Sequence, residues 1–154
     1  MTPATVALSR AGIAFTLHEY AHDPRAASFG LEAVEALDLD PDQVFKTLVA
    51  DLDGALVVAV VPVSGRLDLK ALARALGGSK AAMADPRAAE RVTGYLTGGI
   101  SPIGQKRQLP TVVDETAELY DVVYVSAGRR GLDLGIAPAD LLAATGAVVA
   151  DVSR

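Results

Sequence analysis

The chain has no cysteine and no tryptophan, two histidines, two methionines, and an aromatic share of 5% over 154 residues. Without cysteine no disulfide braces the fold, and no thiol of the protein's own serves as nucleophile or metal ligand. His18 and His22 stand four apart, a spacing that suits a metal on a helix. Their segment reads as a strand and a turn, which separates the rings, so no metal site is expected. Long apolar runs are missing too. The longest, residues 55–63, is too short to cross a bilayer and reads as a buried strand. Met1-Thr-Pro-Ala-Thr5 carries neither a basic n-region nor a long apolar h-region, so no signal peptide and a cytoplasmic location are expected.

Positive charge is also short. Fourteen Lys and Arg against nineteen Asp and Glu leave a net charge of −5. A protein that grips nucleic acid through its phosphates alone is usually basic. Any such contact here is expected to be local, or helped by a partner. The basic residues do cluster: Lys70 with Arg74, Lys106 with Arg107, Arg129 with Arg130. Catalytic signatures are absent as well. There is no Gly-x-Ser-x-Gly, no P-loop, and no dinucleotide fingerprint set between strand and helix. An enzyme built this way works by positioning and electrostatics, or borrows a reactive group from its substrate.

What is present is enough apolar sequence, 51%, to fill the core of one domain. Thr2-Pro3 opens a first helix that Gly12 ends. Residues 15–20 alternate as a strand, His22-Asp-Pro24 turns, and Ser28 caps a second helix. Residues 44–50 and 55–61 read as a hairpin about Asp53-Gly54, the second strand apolar on both faces and therefore central. Turn chemistry accounts for Asp51 and Asp53. Asp68 caps a helix to Leu76, Asp85-Pro86 starts another that Gly94 ends, and Pro138 starts a last one that Gly146 ends. Short strands are expected at 81–84, 111–113, 122–125, 132–136 and 147–149. Hairpins outnumber βαβ units, so the fold class is α/β (α+β): one domain over residues 1–154 with an antiparallel or mixed sheet and flanking helices.

The chemistry-bearing stretch is Gly94-Tyr-Leu-Thr-Gly-Gly-Ile-Ser-Pro-Ile-Gly-Gln-Lys-Arg-Gln-Leu-Pro110, with four glycines and two prolines. Glycine lets backbone amides approach a ligand and proline sets a loop's shape, at a cost in backbone entropy. Gly98, Gly99, Ser101 and Pro102 therefore read as one wall of a site, or else as a plain connector of the same composition. A second glycine-bearing loop runs through 126–131. Lys46 shares a strand face with Val44, Leu48 and Ala50. If that face is buried its ammonium needs a counter-charge or a ligand; if not, its stem snorkels to water. Asp133, on an apolar strand, is a hydrogen-bond anchor or a pocket wall, and Tyr20 a stacking ring or a core tyrosine.

Three blocks, Phe45-Lys-Thr-Leu48, Gly94 to Lys106, and Val125-Ser-Ala-Gly-Arg-Arg-Gly-Leu-Asp133, resemble the YbaK family. These are bacterial Cys-tRNA(Pro) deacylases related to the editing domain inserted in prolyl-tRNA synthetase. Met1-Thr-Pro-Ala4, His22-Asp-Pro24, Pro41-Asp-Gln43, Leu67-Asp-Leu-Lys70 and Met83-Ala-Asp-Pro86 extend the resemblance nearly end to end. It implies the editing-domain fold, with a mixed, barrel-like sheet. It implies trans-editing: hydrolysis of the ester of Cys-tRNA(Pro), the substrate's own thiol attacking that ester. The family's essential lysine falls on Lys46 and its Gly-x-x-x-Pro loop on Gly98 to Pro102, with Gly99, Ile100 and Ser101 inside it. Tyr20 and Asp133 match pocket positions, Phe29 and Thr47 further ones, and Ser126 and Gly128 lie in the third block. No cofactor is implied. Aminoacyl-tRNA and prolyl-tRNA synthetase are the implied partners, with the 106–107 and 129–130 clusters facing the acceptor stem, and neither DNA nor a membrane is implied. Competing readings keep the fold and change the substrate, as with Ala-tRNA(Pro), or make the chain a non-catalytic module binding tRNA ends or a synthetase, or a binder of an unrelated nucleotide or amino acid.

Overall fold

The structure, a computed structural model, describes residues 1–23, 25 and 28–154. Pro24 of the expected 22–24 turn lies outside them. The central element is the hairpin of β2 (Phe45–Leu52) and β3 (Ala55–Pro62), paired from Phe45 opposite Pro62 to Leu52 opposite Ala55. Its turn places Asp53 at φ 52° and Gly54 at φ 92°. Two successive positive φ values suit the right-handed twist of the flanking strands, and Asp-Gly tolerates them. Asp51 accepts from the Gly54 amide at 2.8 Å, and Asp53 accepts from the Ser79 and Lys80 amides at 2.8 and 2.9 Å. Both aspartates are thereby explained.

β3 is buried on both faces, as its composition requires. Val58 and Val60 face one apolar cluster, while Val57, Ala59 and Val61 face another with Leu72 and Val152. Each such valine contributes about 1.5–3 kcal/mol of burial. Around the hairpin lie β4 (Ala81–Met83), β5 (Thr111–Asp114) and β8 (Val148–Ala150), in the order β4-β2-β3-β5-β8. A three-stranded sheet of β1 (Thr16–Glu19), β7 (Leu132–Ile136) and β6 (Val123–Arg129) packs across the first cluster, in the order β1-β7-β6. Four of the six described strand pairings are antiparallel and two, β3·β5 and β5·β8, are parallel.

The helices are α1 (Pro3–Ala11), α2 (Phe29–Leu37), α3 (Leu69–Ala75), α4 (Pro86–Thr93) and α5 (Pro138–Thr145). Thr2, Ser28, Asp68 and Asp85 each accept from a first-turn amide as N-caps, and Gly12, Gly94 and Gly146 end their helices in the left-handed region. No helix among the described residues is long and apolar enough to cross a membrane.

Three features differ from expectation. The described strands do not close into a barrel; the two sheets meet through a lone parallel bridge, Val44 to Tyr124, helped by Gln43 Nε2 donating to the Val122 carbonyl at 2.7 Å. A closed barrel needs a continuous ladder, and here one bridge stands in its place. The second glycine loop is mostly strand: β6 runs on to Arg129 through a register shift between Ser126 and Arg129, with Gly128 at φ 112°. A glycine inside a bulge absorbs the extra residue without ending the strand. Finally, Glu115–Leu119 forms a 3-10 turn, capped by Asp114. Buried Asp114 also accepts from the Val152 and Ser153 amides at 3.0 Å each, tying the C-terminal segment to β5.

Candidate functional site

A cavity of about 360 Å³ opens at the junction of the two sheets, lined by β2 from Phe45 to Val49, the start of α2, the start of α4, and the loop after α4. Lys46 of β2 lines it. Its ammonium donates to the Gly65 carbonyl at 2.9 Å and, among the described residues, forms no ion pair. Burial lowers its pKa from the usual lysine range, and the repulsion of Arg66 adds to this. Both alternatives raised by the sequence are therefore partly met: the stem is half-buried, and the cation reaches a carbonyl, with no counter-charge beside it. A poorly compensated ammonium at a cavity wall is suited to an anionic or strongly polar ligand. Next to it, Thr47 Oγ1 is buried with no hydrogen-bond partner among the described residues.

One carboxyl also lines the cavity. Asp133 stands on β7 directly across from Ser126 on β6, and both line the cavity. Asp133 is 6% exposed, and no hydrogen bond from a described residue offsets its burial. Burial pushes its pKa up to about 7. Tyr20, whose amide donates to the Gly131 carbonyl at 2.9 Å, lines the cavity as well. Burial, reinforced by the charge of Asp133, lifts its phenol to about 12. Tyr20 thus stays a neutral hydroxyl at any physiological pH.

Phe29 and the 97–100 segment form the rim. Arg130 lies over the Phe29 ring, 4.4 Å from its centroid. Its guanidinium also donates twice to the Thr97 carbonyl, at 3.0 and 2.8 Å. The Thr97 amide in turn donates to Glu90 at 2.7 Å, which holds that carboxyl below its usual pKa. His22 Nδ1 bonds Glu32 at 2.8 Å beside Phe29, and His18 pairs with Thr16 at 2.8 Å, away from the cavity.

Of the residues singled out in the sequence, Tyr20, Phe29, Lys46, Thr47, Gly98, Ile100, Ser126 and Asp133 line the cavity together. Gly99, Ser101, Pro102 and Gly128 do not, and the reason is packing. The Gly99 amide is taken by the Leu96 carbonyl at 2.9 Å, and a Cβ there would sit 2.8 Å from Arg129 Cα. Ser101 is fully buried beneath the loop, its Oγ accepting from the Ile103 amide at 3.2 Å. Pro102 is buried beside it. A Cβ at Gly128 would meet Tyr95 at 2.7 Å. These four shape the loops from behind. The amides of Gly98 and Ile100, both cavity-lining residues, have no acceptor among the described residues. Sequence reasoning missed Gly30, Met83, Ala84, Pro86 and Ala89 as walls, and Arg130 as a rim clamp. Small and apolar residues carry no chemical signature of a wall.

Gly98 is the most constrained point of the rim. Its φ is 90°, and a Cβ would lie 2.6 Å from Arg130 Nε and 2.8 Å from the Phe29 ring. Gly98→Ala is expected to lower stability by about 1–3 kcal/mol. In thermal unfolding this reads as a fall in Tm of about 2–10 °C. An unchanged Tm would show that the rim relaxes freely.

Among the described residues the cavity gathers a lysine, a carboxyl and two unpartnered loop amides, with no histidine or cysteine in its lining, an arrangement suited to holding a polar ligand rather than to supplying a nucleophile. Residues 23–144 match the family described as Aminoacyl-tRNA editing domain. The chain belongs to that family and is of the YbaK type its three blocks resemble. It is 42% identical over 121 residues to EbsC of Enterococcus faecalis, which is provisionally named a Cys-tRNA(Pro)/Cys-tRNA(Cys) deacylase; the match spans 77% of this chain and 73% of that one. It is 31% identical over 104 residues to a proline–tRNA ligase of Moorella thermoacetica, covering 60% of this chain and 18% of the ligase. A crystal structure provisionally described as a trans-editing enzyme for prolyl-tRNA synthetase superposes with a TM-score of 0.87 at 29% identity, over 99% of this chain and 95% of that one.

Proposed function

We propose that this protein is a trans-editing deacylase that clears the ester of Cys-tRNA(Pro). The observation that carries this reading is the cavity of an editing-family chain in which Lys46, Tyr20, Asp133 and the unpartnered Thr47 hydroxyl converge, with no nucleophile–base pair among its lining residues. The reactive group is then the substrate's. The cysteinyl sulfur attacks its own ester carbonyl, an S–C bond forms, and the C–O bond to the terminal ribose breaks. The thiol proton ends on the departing ribose hydroxyl, and the cyclised cysteine leaves for water. Holding sulfur and carbonyl in contact range is itself a large rate factor. Lys46 binds the polar 3′-terminal nucleotide, and the Gly98 and Ile100 amides face the ester oxygen. Asp133 and Tyr20 hold the aminoacyl end. The 31% identity to part of a proline–tRNA ligase supports prolyl-tRNA synthetase as the partner that delivers the tRNA, in the cytoplasm.

The test is parallel deacylation of Cys-, Ala- and Ser-tRNA(Pro). Rapid loss of the cysteinyl ester alone is the expected outcome, the alanyl and seryl esters lagging by about a hundredfold or more because they bring no thiol. Equal loss of the alanyl ester would transfer the attack to water and sink the thiol mechanism. Stability of all three esters would leave a binding module.

A further inference from the structure

The two basic pairs that look alike in the sequence part company in the fold. Arg129 pairs with Glu19, and Arg130 is held by the Thr97 carbonyl and the Phe29 ring. The pair at 106–107 instead runs along the end of α4. The Lys106 amide donates to the Thr93 carbonyl at 2.8 Å and the Arg107 amide to Val92 at 3.3 Å. A Cβ on Gly94 would lie 3.3 Å from that of Lys106. On α4 itself, Arg87 and Arg91 are one turn apart, so they share a face with about 6 Å between Cβ atoms. Arg87, Arg91, Lys106 and Arg107 are all exposed, and among the described residues none makes a side-chain hydrogen bond or ion pair. Two carboxylates lie beside them: Asp85 caps α4 through the Arg87 amide, and Glu90 accepts from the Thr97 amide and also feels the charges of Arg87 and Arg130.

This surface is joined to the cavity. Pro86 and Ala89 of α4 line the cavity, so one side of the helix forms its wall while another carries Arg87 and Arg91. In a chain of net charge −5, four cations beside two carboxylates, none of the four in an ion pair among the described residues, leave a local excess of positive charge. The ligand must enter the cavity with one end and carry regularly spaced negative charge on the remainder.

We propose that the outer face of α4 and the adjoining 106–107 turn form the track on which the acceptor stem of the tRNA rests, with Arg87, Arg91, Lys106 and Arg107 against its phosphates. This rests on the reading that the cavity takes an aminoacyl-tRNA end. The pair at 129–130 is left out of the track and serves the rim.

The probe is an uncharged RNA hairpin of acceptor-stem length with a single-stranded 3′ end, titrated by fluorescence anisotropy across a salt series. The variant is the quadruple Arg87→Gln, Arg91→Gln, Lys106→Gln, Arg107→Gln. A control removes the same number of charges elsewhere: Arg10→Gln, Lys70→Gln, Arg74→Gln, Lys80→Gln. The track variant is expected to bind at least about tenfold more weakly at low salt and to flatten the slope of log affinity against log salt by up to about 3, each lost phosphate contact removing roughly 0.7–0.9. The control is expected to keep both affinity and slope. Equal losses in the two variants would reduce the effect to net charge and overturn the track, as would a hairpin that fails to bind the wild type. A cysteinyl ester of adenosine, too short to reach the track, separates the two claims. If it is cleaved alike by wild type and track variant while RNA binding ignores the variant, the track falls and the deacylase stands. If RNA binding depends on the track but neither the short ester nor Cys-tRNA(Pro) is cleaved, the deacylase falls and the track stands.

Discussion

Lys46→Ala is expected to lower kcat/KM for Cys-tRNA(Pro) by about a hundredfold or more, the scale on which losing one charged positioning contact acts. The fold is expected to survive. Lys46 is only half-buried, its ammonium makes one hydrogen bond, to the Gly65 carbonyl, and burial already disfavours its charge. Removing an ammonium that the folded state holds at a disadvantage relieves a penalty while it loses stem packing. The Tm is therefore expected to stay within a few degrees of wild type. The pH profile provides a second readout. Because burial and Arg66 lower the lysine pKa, the charged form fades below the ordinary lysine range, and activity that needs the ammonium falls on the alkaline side earlier than a surface lysine would dictate. Wild-type turnover by Lys46→Ala would remove Lys46 from the mechanism.

Asp133→Asn is expected to behave in the opposite manner, gaining stability as it loses function. Burial raises the folded carboxyl to about 7 from its ordinary value of 3.8. Below that lower value both folded and unfolded chains hold the proton, and Asp133 costs nothing. As pH rises from about 4 to about 7, the unfolded chain gives up its proton freely while the folded chain resists, so stability is lost across that window and stays lost above it. At one pKa unit to about 1.4 kcal/mol, the full penalty reaches an order of 4 kcal/mol. Asparagine has no proton to lose. The variant is therefore expected to melt on the order of 10 °C above wild type at pH 8, with the gap closing toward pH 4. A gap that stays constant with pH would place the carboxyl in contact with water. A penalty of this kind is kept where a site uses it. On the proposed reading the bare carboxylate receives the α-ammonium of the aminoacyl ester, so the stabler variant is expected to show a raised KM for Cys-tRNA(Pro).

The local signals in this chain were strong. Thr2, Ser28, Asp68 and Asp85 cap helices because their short oxygens reach a first-turn amide, a contact decided within three residues. The Asp53-Gly54 turn and the doubly apolar strand after it are legible for the same reason: each is settled by near neighbours. The 126–131 segment misled because glycine marks a bulge and a loop alike, and only the partner strand β7 shows that β6 continues.

For the site, residue type and order went as far as Lys46, Tyr20, Phe29, Thr47, Gly98, Ile100, Ser126 and Asp133, which the fold gathers round one cavity. They did not reach the distinction between a glycine that admits a ligand and one that admits the protein's own backbone. Gly98 and Gly99 are adjacent, yet the first faces the cavity and the second packs on Arg129. Nor did they rank the basic pairs, because the residue that neutralises Arg129 is Glu19, 110 positions away.

By itself the sequence determined the elements, their turns and caps, the exclusion of thiol chemistry of the protein's own, and the family, because each depends on side chains near in the chain or on their order. Tertiary structure alone decided which lysine is half-buried, which carboxyl stands bare, which glycines line the cavity and which cations stay unpaired. Those properties belong to the space between β2, β7, α2 and α4, where desolvation and charge are set by atoms distant in sequence.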